Sequence, residues 1–392
     1  MTAIRILLYA AIAAIAACKI DVGVPAGGSV TTNSGSLSCS ANSSCTLDVA
    51  DIYFDETFVA NPATGFDFIG WKSGPARLCP GSTEPCSFST AGLAGNKDAI
   101  ALLDDPNLVF YLEPAFVSEG AEPEELLGAT FACPWDESDP TLHVFLAAGQ
   151  SNMVSVYGQP GTLPEKYVTG TDRLQMWDEG SWKRLGLSTE NGNRVRRYGP
   201  ELGFAWTLHA ACPDSNIGII KYAVGGTSIT TWVPGGENST VLVANVAAAL
   251  QAGTDITFEG LLYKQGGGDS KNRTLADAWG ENFLSIVDTT RSAVVIPNDL
   301  PLLLATSRGT SDNAFPDDLT DFDPDSVPSP DPSRLFILHV IYQQWIVQFE
   351  RPAIYPVIER DIPIGADGIH QTPEGIRMVG RGLAEVYLQD VN

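Results

Sequence analysis

The sequence predicts an α/β region built on a parallel sheet with helices on both faces, preceded by a small all-β module. Three observations carry this. From about residue 129, apolar runs of strand length alternate with longer amphipathic stretches, the pattern of a buried parallel sheet layered by helices. Residues 19 to about 117 instead hold short alternating or β-branched runs separated by Gly, Ser, Asn and Pro, which reads as a compact β module. Between the two, residues 118–128 are acidic and contain Gly and Pro, so they read as a linker.

The chain opens on a targeting segment, residues 1–18. Arg5 flanks an apolar core, residues 6–14, that is too short to span a bilayer. It leads to Ile15-Ala16-Ala17-Cys18. This ending resembles a bacterial lipobox, whose cysteine is acylated and becomes the mature N-terminus. An ordinary secretory signal is the alternative. Lys19, not aspartate, follows the cysteine, which by the same resemblance implies an outer-membrane or cell-surface destination. Strands are expected at 44–49, 57–60, 66–71, 99–103 and 108–112. The run Gly65-Phe66-Asp67-Phe68-Ile69-Gly70-Trp71 after Ala63-Thr64 resembles the internalin-type B-repeat modules of bacterial surface proteins. That resemblance implies a β-grasp-like fold with two short cysteine loops. Trp71 is a candidate ligand platform, although a Trp in such a run is more often core.

In the second region strands are expected at 143–148, 217–224, 258–264, 301–306 and 354–358, and helices at 201–211, 241–252, 275–290 and 333–350. A last helix runs over 373–388, with Thr372 as N-cap and Pro373 at its first position. In such sheets reactive groups gather at the carboxyl ends of the strands. Ser151 and Gln265 both fall there.

Composition narrows the partners. Of 392 residues 44% are apolar, an ordinary globular content. The 47 acids against 23 bases give a formal net charge of -24, which would repel nucleic acid and anionic lipid alike. Membrane association is therefore expected only through a lipid anchor. Six cysteines follow Cys18, and an even count in an exported chain suggests disulfides, with 15 possible connectivities. Close spacing favours Cys39–Cys45 and Cys79–Cys86, leaving Cys133–Cys212. No CxxC pair or HExxH motif occurs, so a zinc site is a poor reading. Neither a metal nor a cofactor is expected. Asp321, Asp323 and Asp325 have the spacing of the first calcium-loop ligands, but Ser326 stands where the turn glycine belongs and no glutamate holds the twelfth position. A solvated acidic loop is the better reading.

Two motifs carry chemistry. Gly149-Gln150-Ser151-Asn152-Met153 leaves a buried strand on a sharp turn, and Asp367-Gly368-Ile369-His370 supplies a base with a carboxylate three residues before it. A serine nucleophile needs a base, and the base needs a group that fixes its tautomer. The other histidines, His143, His209 and His339, fall within a strand or helices and read as structural. Gly225-Gly226 lets backbone approach a ligand closely, and the Gln265 amide donates without adding charge. Ser151 N–H, Gly225, Gly226 and Gln265 are thus the candidate oxyanion donors. Gln150, Asn152, Trp232 and Asp269 are candidate substrate contacts.

These blocks together resemble the SGNH hydrolases, and within them the sialate O-acetylesterase and acetylxylan-esterase-like carbohydrate esterases. The resemblance rests on 145–153, on Gly199-Pro200-Glu201-Leu202-Gly203-Phe204-Ala205, on 223–229 with Trp232, on Gln265-Gly266, and on 367–370 with Gly375 and Gly380. It implies a three-layer, flavodoxin-like sheet and an exported serine esterase that removes O-acetyl groups from carbohydrate of the sialic acid or xylan type. One departure stands out: the family usually has Gln-Gly-Glu-Ser-Asp where this chain has Gln265-Gly266-Gly267-Gly268-Asp269. Two other readings are a broader short-chain acyl esterase or lipase, and a carbohydrate-binding surface adhesin with an inactive esterase region. The intact Ser151, His370 and Asp367 weigh against the adhesin.

Overall fold

A computed structural model describes residues 18–49, 53–74, 76–91, 103, 105, 108–155, 157–158, 160–186, 197–293, 300–307, 322–329, 333–357, 359 and 362–390. The chain divides into two compact units, 1–121 and 122–392.

Among its described residues the first unit is built mainly of strands. Strand β1 (Cys18–Val24) pairs antiparallel with β4 (Ser43–Val49) and parallel with β8 (Val109–Leu112). A four-stranded sheet orders β3 (Ser38–Cys39), β2 (Gly28–Thr32), β5 (Asp55–Pro62) and β7 (Cys86–Ser89), and β6 (Phe66–Trp71) pairs with β9 (Pro114–Ser118). Trp71 is fully buried, and its indole N–H donates to the Glu84 carbonyl at 2.9 Å, so it belongs to the core. The expected disulfides Cys39–Cys45 and Cys79–Cys86 are present, as is Cys133–Cys212 in the second unit. Strand β1 begins at Cys18, whose side chain is buried in this core. Of the strand expected at 99–103 only Leu103 is among the described residues, and it is helical rather than extended.

The second unit is a seven-stranded sheet. Its order is β12 (Ser181–Arg184), β11 (Leu174–Asp178), β13 (Asn216–Ala223), β10 (Leu142–Gly149), β14 (Ile256–Lys264), β15 (Leu302–Ala305) and β16 (Ile354–Val357). All pairs are parallel except β11–β12. Strand β10 lies at the centre and is buried at every residue. Its side chains alternate between two cores. Phe145 and Ala147 join one, with residues of α4 (Pro200–Ala211) and α9 (Pro373–Asp390). Val144, Leu146 and Ala148 join the other, with residues of α5 (Glu237–Gln251), α7 (Trp279–Ala293) and α8 (Ile337–Glu350). Helices therefore cover both faces, as the near-continuous apolar strands require.

Three expectations need correction. The acidic stretch 118–128 is not a linker throughout. Residues Pro123–Gly128 form helix α1, with Pro123 at the first position and the Glu125 carboxylate accepting the Glu122 N–H at 2.8 Å. Glu124 is fully buried, accepting from the Tyr167 hydroxyl at 2.7 Å and pairing with Arg381 at 2.9 Å and Arg377 at 3.3 Å. Its counter-charges lie some 250 residues away on α9, so local composition read as solvated what tertiary contacts bury. The helix expected at 275–290 is two, α6 (Arg273–Asp277) and α7, parted at Ala278. The hairpin β11–β12 was not anticipated. Its loop, Glu179-Gly180, has φ of 49° and 76°, the two positive values of a type I′ turn, but Ser-Trp-Lys-Arg carries no strand alternation.

Candidate active site

The nucleophile motif sits where β10 ends. Gly149 has φ of 149°, and a Cβ there would fall 2.0 Å from the Lys264 carbonyl oxygen. Only glycine lets β10 and β14 close up at this point. The Gln150 N–H then donates to that same carbonyl at 2.9 Å, and Ser151 opens the single turn α2 (Ser151–Val154). Ser151 is half-buried and starts a helical turn, where backbone N–H groups lack intrahelical partners. Beneath it, a Cβ on Gly199 would fall 2.1 Å from the Met153 carbonyl oxygen. The Gly199 N–H donates to Glu201 at 2.8 Å, and Glu201 pairs with the fully buried Lys221 at 2.7 Å. Burial pushes the Lys221 ammonium below its ordinary range, and the Glu201 charge opposes that.

The base motif forms the turn before α9. The Asp367 carboxylate accepts the N–H groups of Ile369 and His370, each at 3.0 Å, and faces His370 Nδ1 at 2.6 Å. Burial pushes the Asp367 carboxyl up. The N–H of His370, its ring and the N–H of Ile369 outweigh that and hold the group at about 2. Asp367 thus stays ionised and fixes the ring by Nδ1, leaving Nε2 for chemistry. The Thr372 hydroxyl caps α9 by accepting the Gly375 N–H at 3.1 Å, as the sequence predicts. The two motifs meet: the Asn152 side-chain amide reaches the Ile369 carbonyl oxygen at 3.5 Å. Among the described residues Ser151 and His370 share no hydrogen bond, and such contacts commonly tighten only with substrate bound.

The glycine block closes the third side. A Cβ on Gly225 would stand 3.7 Å from Ser151 Cβ, whereas Gly226, at φ 78°, would meet open space. Gly225 backbone therefore lies against Ser151.

Gln265 does not serve the role the sequence suggested. It is buried, and its amide donates to the Thr227 carbonyl at 3.1 Å and to Asp269 at 2.5 Å. Its carbonyl oxygen accepts from the Trp279 indole at 2.7 Å. No donor is left for an oxyanion. Asp269 is likewise no substrate contact: it is fully buried and binds the Ser228 hydroxyl and the Ile229 N–H, the latter at 3.0 Å. Trp232 is core as well, its indole N–H donating to the Thr227 hydroxyl at 3.1 Å. Gln265 and Trp232 both donate to Thr227, and Asp269 joins them through the Gln265 amide. Thr227 lies inside the glycine block and Trp279 within a helical stretch, so neither stands out in the sequence. The network holds Thr227, the residue after Gly226.

At the Gly267 departure a Cβ would fall 2.9 Å from Gln150 Nε2, the movable end of a flexible side chain, so a side chain there would need only that amide to shift. Gln150 Oε1 accepts the Gly268 N–H at 3.3 Å.

His143 and His339 are structural, as expected. His143 pairs with Glu259 at 2.7 Å and His339 with Asp277 at 2.7 Å. In the acidic loop Asp325 is bound by Arg273 through two bonds of 2.7 Å, so its carboxylate is taken, and Asp321 lies outside the described residues. Among the described residues no cluster of His, Cys, Asp and Glu is placed to hold a metal ion.

Among solved structures, a protein from Arabidopsis thaliana is similar at TM-score 0.53 and 19% identity, over 64% of this chain and 99% of its own. A carbohydrate acetylesterase from Xanthomonas citri matches over 95% of this chain and 73% of its own at TM-score 0.45 and 15% identity. An acetyl xylan esterase from Geobacillus stearothermophilus matches over 64% and 98% at TM-score 0.36 and 13% identity. No curated protein matches. The family model for carbohydrate esterases of the sialic acid-specific acetylesterase type matches residues 141–389. That span holds every element of the seven-stranded sheet together with both reactive motifs, and the chain belongs to this family of SGNH-type carboxylic ester hydrolases that deacetylate carbohydrates.

Proposed function

We propose that this protein removes O-acetyl groups from carbohydrate through an acetyl-enzyme on Ser151. In this reading Ser151 Oγ attacks the acetyl carbonyl and His370 Nε2 takes its proton. Asp367 holds the imidazole tautomer and balances the charge that forms on the ring. The oxygen turns anionic, and the N–H groups of Ser151 and Gly225 receive it. The intermediate collapses, the sugar hydroxyl leaves with the proton from His370, and water attacks the acetyl-enzyme by the same relay to release acetate. Asn152 flanks the nucleophile and Gly226 borders open space, whereas Gln150 is buried and holds the Gly268 N–H.

The single observation that carries the reading is the 2.6 Å contact of Asp367 with His370 Nδ1, on a turn that Asn152 ties to the nucleophile. The test is hydrolysis by wild type and Ser151→Ala of acetylated sialic acid, acetylated xylan and p-nitrophenyl esters of rising chain length. Acetyl should be favoured over octanoyl, and the variant should lose about a million-fold in turnover. Near-normal hydrolysis by Ser151→Ala would remove the nucleophile assignment, and faster octanoyl cleavage would favour a lipase. The family description points to sialic acid, so we place O-acetyl sialic acid first and xylan-type glycans second.

We further infer export with anchoring through Cys18. The supporting features are the apolar leader and the lipobox-like Ile15-Ala16-Ala17-Cys18. The Cys18 side chain is buried at the start of β1, so acylation would require that residue to turn out of the module.

A further inference from the structure

A buried charge pair that the chemistry does not use connects the two halves of the site. Lys264 is the last residue of β14. Its carbonyl oxygen is the atom against which Gly149 and the Gln150 N–H close, immediately before Ser151. Its side chain runs under β15, donates to the Thr306 carbonyl at 3.1 Å and ends on Glu359. The two side chains are 4% and 2% exposed, which makes this pair an interior feature rather than a surface ornament. The second Glu359 oxygen accepts from the Gln371 amide at 2.9 Å. Gln371 is itself buried and directly follows His370.

We infer that Lys264, Glu359 and Gln371 form a positioning relay that fixes His370 against Ser151. The inference rests on the Ser151–His370–Asp367 reading above. The physical need for a relay is plain. The Asp367–His370 pair is partly exposed, at 35% and 19% for the two side chains, and its turn touches the nucleophile turn through one 3.5 Å contact. The turn is closed on itself, with the Gly365 N–H donating to the His370 carbonyl at 2.8 Å and Ile364 bridging to Gln371, so its placement against Ser151 depends on what holds it from outside, and a shift of about 1 Å at a reacting group costs about a hundredfold in rate. Gln371 carries the buried end of that turn. Glu359 holds Gln371, and Lys264 holds Glu359 while its own backbone seats the nucleophile. Both reacting groups are thereby referred to one buried ion pair. Such pairs add little net stability against apolar replacements, because desolvation offsets their attraction. A role in geometry accounts for this one better than a role in stability.

The test measures kcat, KM and melting temperature of full-length wild type, Gln371→Leu and Glu359→Gln on an acetyl ester, with Ser151→Ala in parallel. Active enzyme is titrated with an organophosphate. Gln371→Leu should lower kcat per titrated site by about tenfold to a hundredfold, with KM near wild type and a melting temperature lowered only by the one buried Glu359 oxygen left unpaired. Glu359→Gln should lower it too, and adding it to Gln371→Leu should cost less than the two single losses combined, because both break one relay. If Gln371→Leu fails to fold, Glu359→Gln supplies the same kcat reading. Wild-type kcat per site in the folded variant, or a loss that appears only as lower melting temperature, would overturn the inference. An active Ser151→Ala would instead bring down the triad reading and this inference with it, and so tells the two failures apart.

Discussion

At the scale of single residues, two polar side chains behave differently. Asp367 is partly exposed and held at about 2 by hydrogen bonds from Ile369 and His370. Its folded value lies below the ordinary one, so its contribution to stability is full above the unfolded-state pKa and is lost as pH falls through about 2. Protonation of Asp367 should therefore add nothing to any loss of activity above about pH 4. Asp367→Asn should lower kcat by about ten-thousand-fold by releasing the ring tautomer, measured at pH 7 on an acetyl ester. A deficit below about tenfold would mean that the ring tautomer does not depend on Asp367. Gln265 belongs to the other kind. Its amide is spent on Thr227, Asp269 and Trp279. Gln265→Ala strands these buried partners, at about 1–3 kcal/mol for each unsatisfied group. Urea denaturation should show a loss of about 3 kcal/mol or more. Unchanged stability with a large kcat loss would return Gln265 to the oxyanion hole.

At the scale of elements, α1 shows how a charged segment becomes part of a core. Glu124 is held by Arg377, Arg381 and Tyr167. Burial pushes the Tyr167 phenol far above its ordinary range, and the neighbouring Glu124 adds to it, so the phenol remains the donor. Breaking a buried pair by removing one partner costs about 3–5 kcal/mol. A fragment starting at residue 122 should therefore fold as a cooperative unit, whereas one starting at 129 should melt at lower temperature and unfold at lower urea. Equal denaturation midpoints would show that α1 contributes nothing to the unit.

At the scale of the whole molecule, the question is where the chain is held. Burial pushes the Cys18 thiol up, with only a backbone hydrogen bond pulling the other way, so as placed it is an inert thiol. If the leader is processed as a lipobox, Cys18 must leave the start of β1. Metabolic labelling with a palmitate analogue should then mark the wild-type protein and not Cys18→Ser, and the variant should appear in the soluble exported fraction. Labelling that survives Cys18→Ser would rule out this anchor. Absence of labelling in wild type would favour an ordinary secretory signal.

Local pattern was enough for much of this protein. The alternation of buried strands with helices, the paired motifs around Ser151 and His370, the Thr372 cap and the three disulfides follow from periodicity, spacing and residue chemistry, because each is specified within a few neighbouring residues or by parity of count. The tertiary structure alone decided the rest. Gln265, Asp269 and Trp232 have the residue types of a binding site, yet all three turn inward. Gln265 and Asp269 find Thr227 and Ser228 about 40 residues away, while Trp232 binds Thr227 only five residues before it and is buried by the closing of the layers. The same reason hid helix α1, whose acids look solvated until Arg377 and Arg381 arrive from α9. It also hid the Lys264–Glu359 pair, which joins residues 95 apart. A sequence states which groups must find partners, and where those partners lie along a long chain is settled only when the layers close.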